Sequence, residues 1–332
     1  MSIDIKTMNV QPKRQTFAHV ARRLGSDTTA SRYEEGVYDL QATTHFHYRP
    51  IWGPEYWTFD EGRTAIKMKD WYVFKDPRQF YYGTYTVTRA NMHQTTDRNF
   101  AFEEKRNMLA NIDEEWREMI VKYLIPLRHY EWGANMNACA VSDAGYGAAL
   151  TSAMIFTTGD RLGIAQILSR IGIALSEGDG ELLDQAKQEW MEADAWQGVR
   201  KAIEDSLVVK DWFEILLAQF LVMDGMVYPL VYNHFDTEGQ KHSAAALSIL
   251  CEFMVDWSAE HNRWVDAVVK TAVKESDENR ALLSDWYGKW RNIMSEALQP
   301  QAAMVLSDGG EAVLNEVCEQ LDARASKLGL TL

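Results

Sequence analysis

The sequence predicts an all-α protein, a helical bundle preceded by an extended, aromatic-rich N-terminal arm. Four stretches place apolar side chains at alternating steps of three and four, the spacing of a bundle seam. No strand pattern of any strength follows the first 75 residues. Those first residues do not read as bundle, because Pro12, Pro50, Pro54, Gly25, Gly36, Gly53 and Gly62 break them into short pieces. The expected organisation is an arm over 1–75 and one bundle domain over 76–332.

The arm is dense in Tyr, Trp and Phe, among them Tyr33, Tyr38, Trp52, Trp57, Trp71, Tyr72 and Phe74. A solvated linker is poor in such residues, so the arm needs a surface to lie on. That surface is either its own bundle or another subunit, and both remain open. His45 and His47 would face the same way in an extended segment, but without a third ligand they read as solvent or interface histidines.

Asp76 and Pro77 look like an N-cap and first helical residue, opening a helix over about 78–109. Asp113 opens the next, which passes a break at Pro126 and reaches Gly145. Its seam is Trp116, Ile120, Tyr123, Leu127, Tyr130, Ala134, Asn137 and Val141. A third runs from Gly147 to Leu175, with distortion expected at Thr158-Gly159-Asp160. Its seam is Leu150, Met154, Thr157, Arg161, Ile164, Leu168, Ile171 and Leu175. After the turn SEGDGE, helices are expected at 181–203, 205–233, 241–271, 275–298 and 310–327.

The stretch 205–233 organises the rest, with Phe213, Leu216, Phe220, Met223, Val227 and Leu230 on its inner stripe. Glu214, Gln219, Asp224 and Asn233 interrupt it, which argues for a core helix against a membrane span. The last seam is Leu247, Leu250, Met254, Trp257, His261, Trp264 and Val268. Four such seams make a four-helix core, and what stands on their inward faces decides the function.

A formal net charge of −14 on 332 residues, with no basic block, excludes a nucleic-acid footprint and an anionic-lipid anchor. Cys139, Cys251 and Cys318 are scattered and odd in number, the usage of a reducing compartment. The N-terminus lacks an apolar signal core, so a cytoplasmic location is expected. A di-metal bundle site needs Glu-x-x-His on two helices, because residues three apart share a helix face. None of the eight histidines has Glu three positions earlier. His-Glu-x-x-His, Cys-x-x-Cys, Gly-x-Ser-x-Gly and P-loop patterns are also missing from the sequence.

Seven runs carry a resemblance: AHVARR (18–23), FHYRP (46–50), DPRQFYYGTY (76–85), PLRHYEWGANMN (126–137), GDRLGIAQILSRI (159–171), LVVKDWFE (207–214) and DGMVYPLVY (224–232). With them the chain resembles, over nearly its whole length, the β subunit of the oxygenase component of bacterial multicomponent phenol hydroxylase. That family of soluble di-iron monooxygenases implies a ferritin-like bundle. It implies a partner α subunit that holds the di-iron centre and a γ subunit, in an α2β2γ2 assembly that hydroxylates phenol to catechol with O2. A regulatory protein and an NADH-fed reductase would dock on the complex.

Laid over the α-subunit pattern Asp-Glu-x-x-His, this chain has Asp160-Arg161 with Ile164, and Asp256-Trp257 with Glu260. The two lone-Glu positions fall, to within one residue, at Ala134 and Met223. The resemblance therefore implies no catalytic, cofactor or metal residue in this chain, with degenerate ligand positions at Ala134, Arg161, Ile164, Met223, Trp257 and Glu260. Arg161 and Glu260, the charges left there, are expected to pair with each other or with Asp160 and Asp256. Two other readings stand beside this one. A free-standing di-iron enzyme would need ligands such as Glu131, Asp143 or Asp224, and a helical binding module would hold a small aromatic ligand in its core.

Overall fold

The computed structural model describes residues 16–40, 49–51 and 53–332, which leaves His45, His47, Trp52 and most of FHYRP outside the described residues. These fold into helices and turns with no strand among them. The arm contributes α1 (Ala18–Leu24) and α2 (Arg32–Val37), the latter closed by a capping box between Ser31 and Glu34. The bundle follows as α3 (Tyr82–Arg106), α4 (Glu114–Met119), α5 (Leu127–Ala144), α6 (Ala148–Leu175), α7 (Glu181–Glu192) and α8 (Asp194–Ser206). Then come α9 (Trp212–Gln240), α10 (Ala245–Leu250), α11 (Glu252–Glu275), α12 (Asp277–Leu306) and α13 (Gly310–Leu328).

Every residue of the four seams is buried, so the three-four stepping reports the core face correctly. Boundaries differ where local chemistry overrides the pattern. Asp76 does not cap a helix; its carboxylate takes the Arg78 backbone N–H and guanidinium, and the helix waits until Tyr82. Residues 205 and 206 close α8, 207–211 form the link, and the organising helix starts at Trp212, where Asp211 accepts from Phe213 and Glu214 N–H. Helix α6 runs through Thr158-Gly159-Asp160 without a break. The segments expected at 181–203 and 241–271 are each two helices, interrupted at Ala193 and Cys251.

Helix α9 widens twice, at Leu217–Met223 and Leu230–Phe235, into π turns. Pro229 stands immediately before the second: it has no N–H to donate, and a widened turn relieves the clash of its ring with the preceding carbonyls. Among the described residues this is the one helix long and apolar enough to cross a membrane, yet 83% of its apolar window is buried within the fold.

The described residues of the arm pack on the bundle of the same chain. Trp71 packs against Trp212 and Tyr146 with ring centroids 5.6 and 5.9 Å apart, and Phe74 meets Phe213 at 6.4 Å. Val20, Tyr33, Val37, Tyr38 and Tyr72 form a satellite core with Ala149 of α6. Gly147 opens that helix with φ +94°, a backbone shape L side chains rarely adopt, beside the Trp71 carbonyl.

Candidate functional site: a buried arginine–carboxylate centre

Helices α5, α6, α9 and α11 each send one carboxylate into the middle of the bundle: Glu131, Asp160, Asp224 and Glu260. Two guanidiniums tie them into pairs. Arg161, wholly buried, donates Nη1 to Glu131 Oε2 at 2.7 Å and Nη2 to Asp224 Oδ2. Arg89 of α3 donates Nη2 to Asp160 Oδ2 at 2.9 Å and to Glu260 Oε1 at 2.7 Å. Its Nε reaches Asp160 Oδ1 at 2.8 Å and its Nη1 reaches Glu260 Oε2 at 3.0 Å. Arg78, fixed by Asp76, approaches Glu260 from the arm junction at 3.4 Å.

Trp257 separates the two pairs. Its ring lies 4.5 Å from Arg161 Cζ, and its Nε1 donates to Asp160 Oδ2 at 2.8 Å. Further donors reach the two carboxylates of Arg161: Tyr228 donates to Glu131 Oε1 at 2.9 Å, and Tyr130 donates to Asp224 Oδ1 at 2.6 Å. Gln219 donates to the same Asp224 oxygen at 3.0 Å and is itself held by Asn137 at 2.9 Å. Unmatched charge here would cost several kcal/mol, so this pairing is what allows the ions to be buried.

Burial pushes the Glu131 carboxyl above its ordinary range, against the pull of Arg161. Burial would lower Arg161, but Asp224 and Glu131 outweigh it and hold the guanidinium well above its usual value. His261 stacks on Trp257 at 4.6 Å, and neither ring nitrogen has a hydrogen-bond partner among the described residues. Burial, with Arg78, Arg161 and Arg89 nearby, keeps its imidazole well below 6.5 and therefore neutral.

Of the residues singled out in the sequence, Ala134, Arg161, Ile164, Met223 and Trp257 are all buried, and the Glu260 side chain is 15% exposed. The expected pairing of Arg161 needs correction. Arg161 meets neither Glu260 nor Asp160, because Trp257 intervenes and residues 160 and 161 diverge by about 100° around their helix. Asp256 is exposed. The partners are Glu131 and Asp224, two of the three alternative ligands considered above; the third, Asp143, sits at the surface on Arg63 at 3.1 Å. Arg89 was missed. Its signal is the inner stripe Arg89, Thr96, Phe100 and Glu103 of an otherwise polar helix.

With its arginines in place, the centre does not fit a metal. Hard divalent cations need converging oxygen donors at about 2.0–2.6 Å. Among the described residues no group of three or more His, Cys, Asp or Glu converges in that way. Guanidiniums stand between the carboxylates instead.

A sequence model of the methane/phenol/alkene hydroxylase family matches residues 52–276, and the oxygenase component DmpL of phenol 2-monooxygenase from Pseudomonas sp. (strain CF600) is 46% identical over 99% of this chain and 98% of that protein. The chain belongs to the methane/phenol/alkene hydroxylase family. Within that family it is also similar to the hydroxylase component subunit beta of the toluene-4-monooxygenase system of Ectopseudomonas mendocina, 24% identical over 78% of each chain. Among solved structures, a xenon-pressurized phenol hydroxylase from Pseudomonas sp. OX1 superposes with TM-score 0.93 at 44% identity, covering 99% of each chain. The fold of this family member is accordingly all-α and ferritin-like, and its relatives are oxygenase-component subunits of multicomponent phenol and toluene monooxygenases.

Proposed function

We propose that this chain is the metal-free structural subunit of a multicomponent aromatic monooxygenase. The complex would convert phenol, O2 and NADH to catechol, with a di-iron centre in a partner α subunit. The chain would scaffold that subunit in an α2β2γ2 hydroxylase in the cytoplasm, the regulatory protein and reductase docking on the whole. One observation carries the reading: each of the four inward carboxylates is already engaged by Arg161 or Arg89, so the ligating oxygens at the bundle centre are taken up within the chain. Ala134, Ile164, Met223 and Trp257 fill the surrounding volume with side chains that ligate nothing.

An uncharged exposed face supports the scaffolding role. Trp132 and Met136 stand one turn apart on α5, and Ile155 and Leu162 stand two turns apart on α6. Asn135 joins the two helices between them through the Thr158 carbonyl at 2.8 Å. Large apolar side chains grouped on a soluble surface mark interaction sites.

The test is a tagged pull-down from the native host with mass spectrometry and iron analysis. The expected result is an equimolar chain bearing two Glu-x-x-His motifs, with iron that follows that chain after dissociation. Iron retained by this chain, or its recovery alone, overturns the reading.

A further inference from the structure

We infer that Arg161 closes a latent cation site, its guanidinium taking the place that a hard divalent cation or a free guanidinium ion would otherwise occupy between Glu131 and Asp224. This rests on the reading of the chain as metal-free, and it adds a named residue that keeps it so.

Two carboxylates from different helices, Glu131 on α5 and Asp224 on α9, face a single cation that neither shares with solvent. A phenolic oxygen, Tyr228, touches the same cation at 3.1 Å. Tyr130 and Gln219 then orient Asp224 from behind, as outer partners orient a ligating carboxylate. Oxygen donors of this kind suit Mn2+ or Mg2+, and the planar fork suits guanidinium. The wall is already built: Trp257 and Phe220 lie 4.5 and 5.6 Å from Arg161 Cζ, so deletion of the side chain leaves a lined cavity. Arg89 does not serve as the closing residue, because its carboxylate Glu260 is 15% exposed and is shared with Arg78.

The experiment uses the full-length chain as wild type, Arg161→Ala and Arg161→Gln. Melting temperatures are read with and without about 1 mM Mn2+ and, separately, about 10 mM methylguanidinium, together with Mn2+ stoichiometry by native mass spectrometry. The arginine variants are expected to bind one Mn2+ and to melt higher by about 3 °C or more with either cation, since a ligand that binds only the native state raises stability. Wild type is expected to show neither effect, and adding Glu131→Gln and Asp224→Asn should abolish both. A folded variant indifferent to Mn2+ and methylguanidinium overturns the inference. So does failure of both variants to fold when the cation is supplied, because a latent cation site predicts rescue. Mn2+ bound by wild type at this position would instead sink the metal-free reading, leaving the two failures distinguishable.

Discussion

Arg161 is wholly buried, so its five N–H donors depend on what the core offers. Two are spent on Glu131 and Asp224 and one also reaches Tyr228, while the Nε has no partner among the described residues. The neighbouring His261 is the opposite case, a polar ring buried without hydrogen bonds and held by aromatic stacking between Trp257 and Trp264. Its folded-state value lies below 6.5, so the unfolded chain takes up the proton first as pH falls. The stability it contributes is fully present above about pH 6.5 and is lost on going down towards the folded value, by at most about 1.4 kcal/mol for each pH unit. His261→Phe keeps the stacking and removes the titration. Thermal melts at pH 7.5 and 5.5 should therefore converge for the variant more than for wild type; an unchanged gap would show that His261 does not carry the acid sensitivity.

At the scale of the element, the seams were legible because helical periodicity depends only on which face is buried, and every seam residue is indeed inside. Element ends were less legible. Asp76 reads as a cap from its neighbour Pro77, yet Arg78 two residues on offers it a stronger, charged partner. Charge pairing was the least legible of all: which carboxylate meets Arg161 depends on where Trp257 stands, a tertiary fact no local spacing encodes. Glycines divide in the same way. A Cβ on Gly198 of α8 would sit 2.9 Å from the Ala297 Cα of α12, against backbone that cannot rotate away, whereas one on Gly288 would meet nothing within 4 Å. Gly198→Ala should destabilise by about 1–3 kcal/mol through overpacking. Gly288→Ala should stabilise by about 0.5–1 kcal/mol through helix propensity. Urea unfolding midpoints moving in the same direction for both would refute the close-contact account of α8 and α12.

The whole molecule carries a net charge of −14, yet the face that joins α5 to α6 presents Trp132, Met136, Ile155 and Leu162 to solvent with relative exposures from 40% to 57%. Those side chains make no contribution to the core that the seams already fill, and a large solvent-exposed tryptophan invites association with a second surface. If this face receives the partner subunit, Trp132→Ala combined with Leu162→Glu should leave the melting temperature of the isolated chain within about 2 °C of wild type, since surface substitutions rarely exceed about 0.5 kcal/mol. The same pair should cut recovery of the partner in a tagged pull-down at least tenfold, because a buried aromatic anchor is worth about 2 kcal/mol or more and the new carboxylate would be desolvated unpaired. An equal change at the exposed arm residues Ile51 and Trp57 serves as the comparison. Undiminished recovery with the α5–α6 double variant, alongside loss with the arm variants, would move the interface to the arm and leave the helical face a solvated surface.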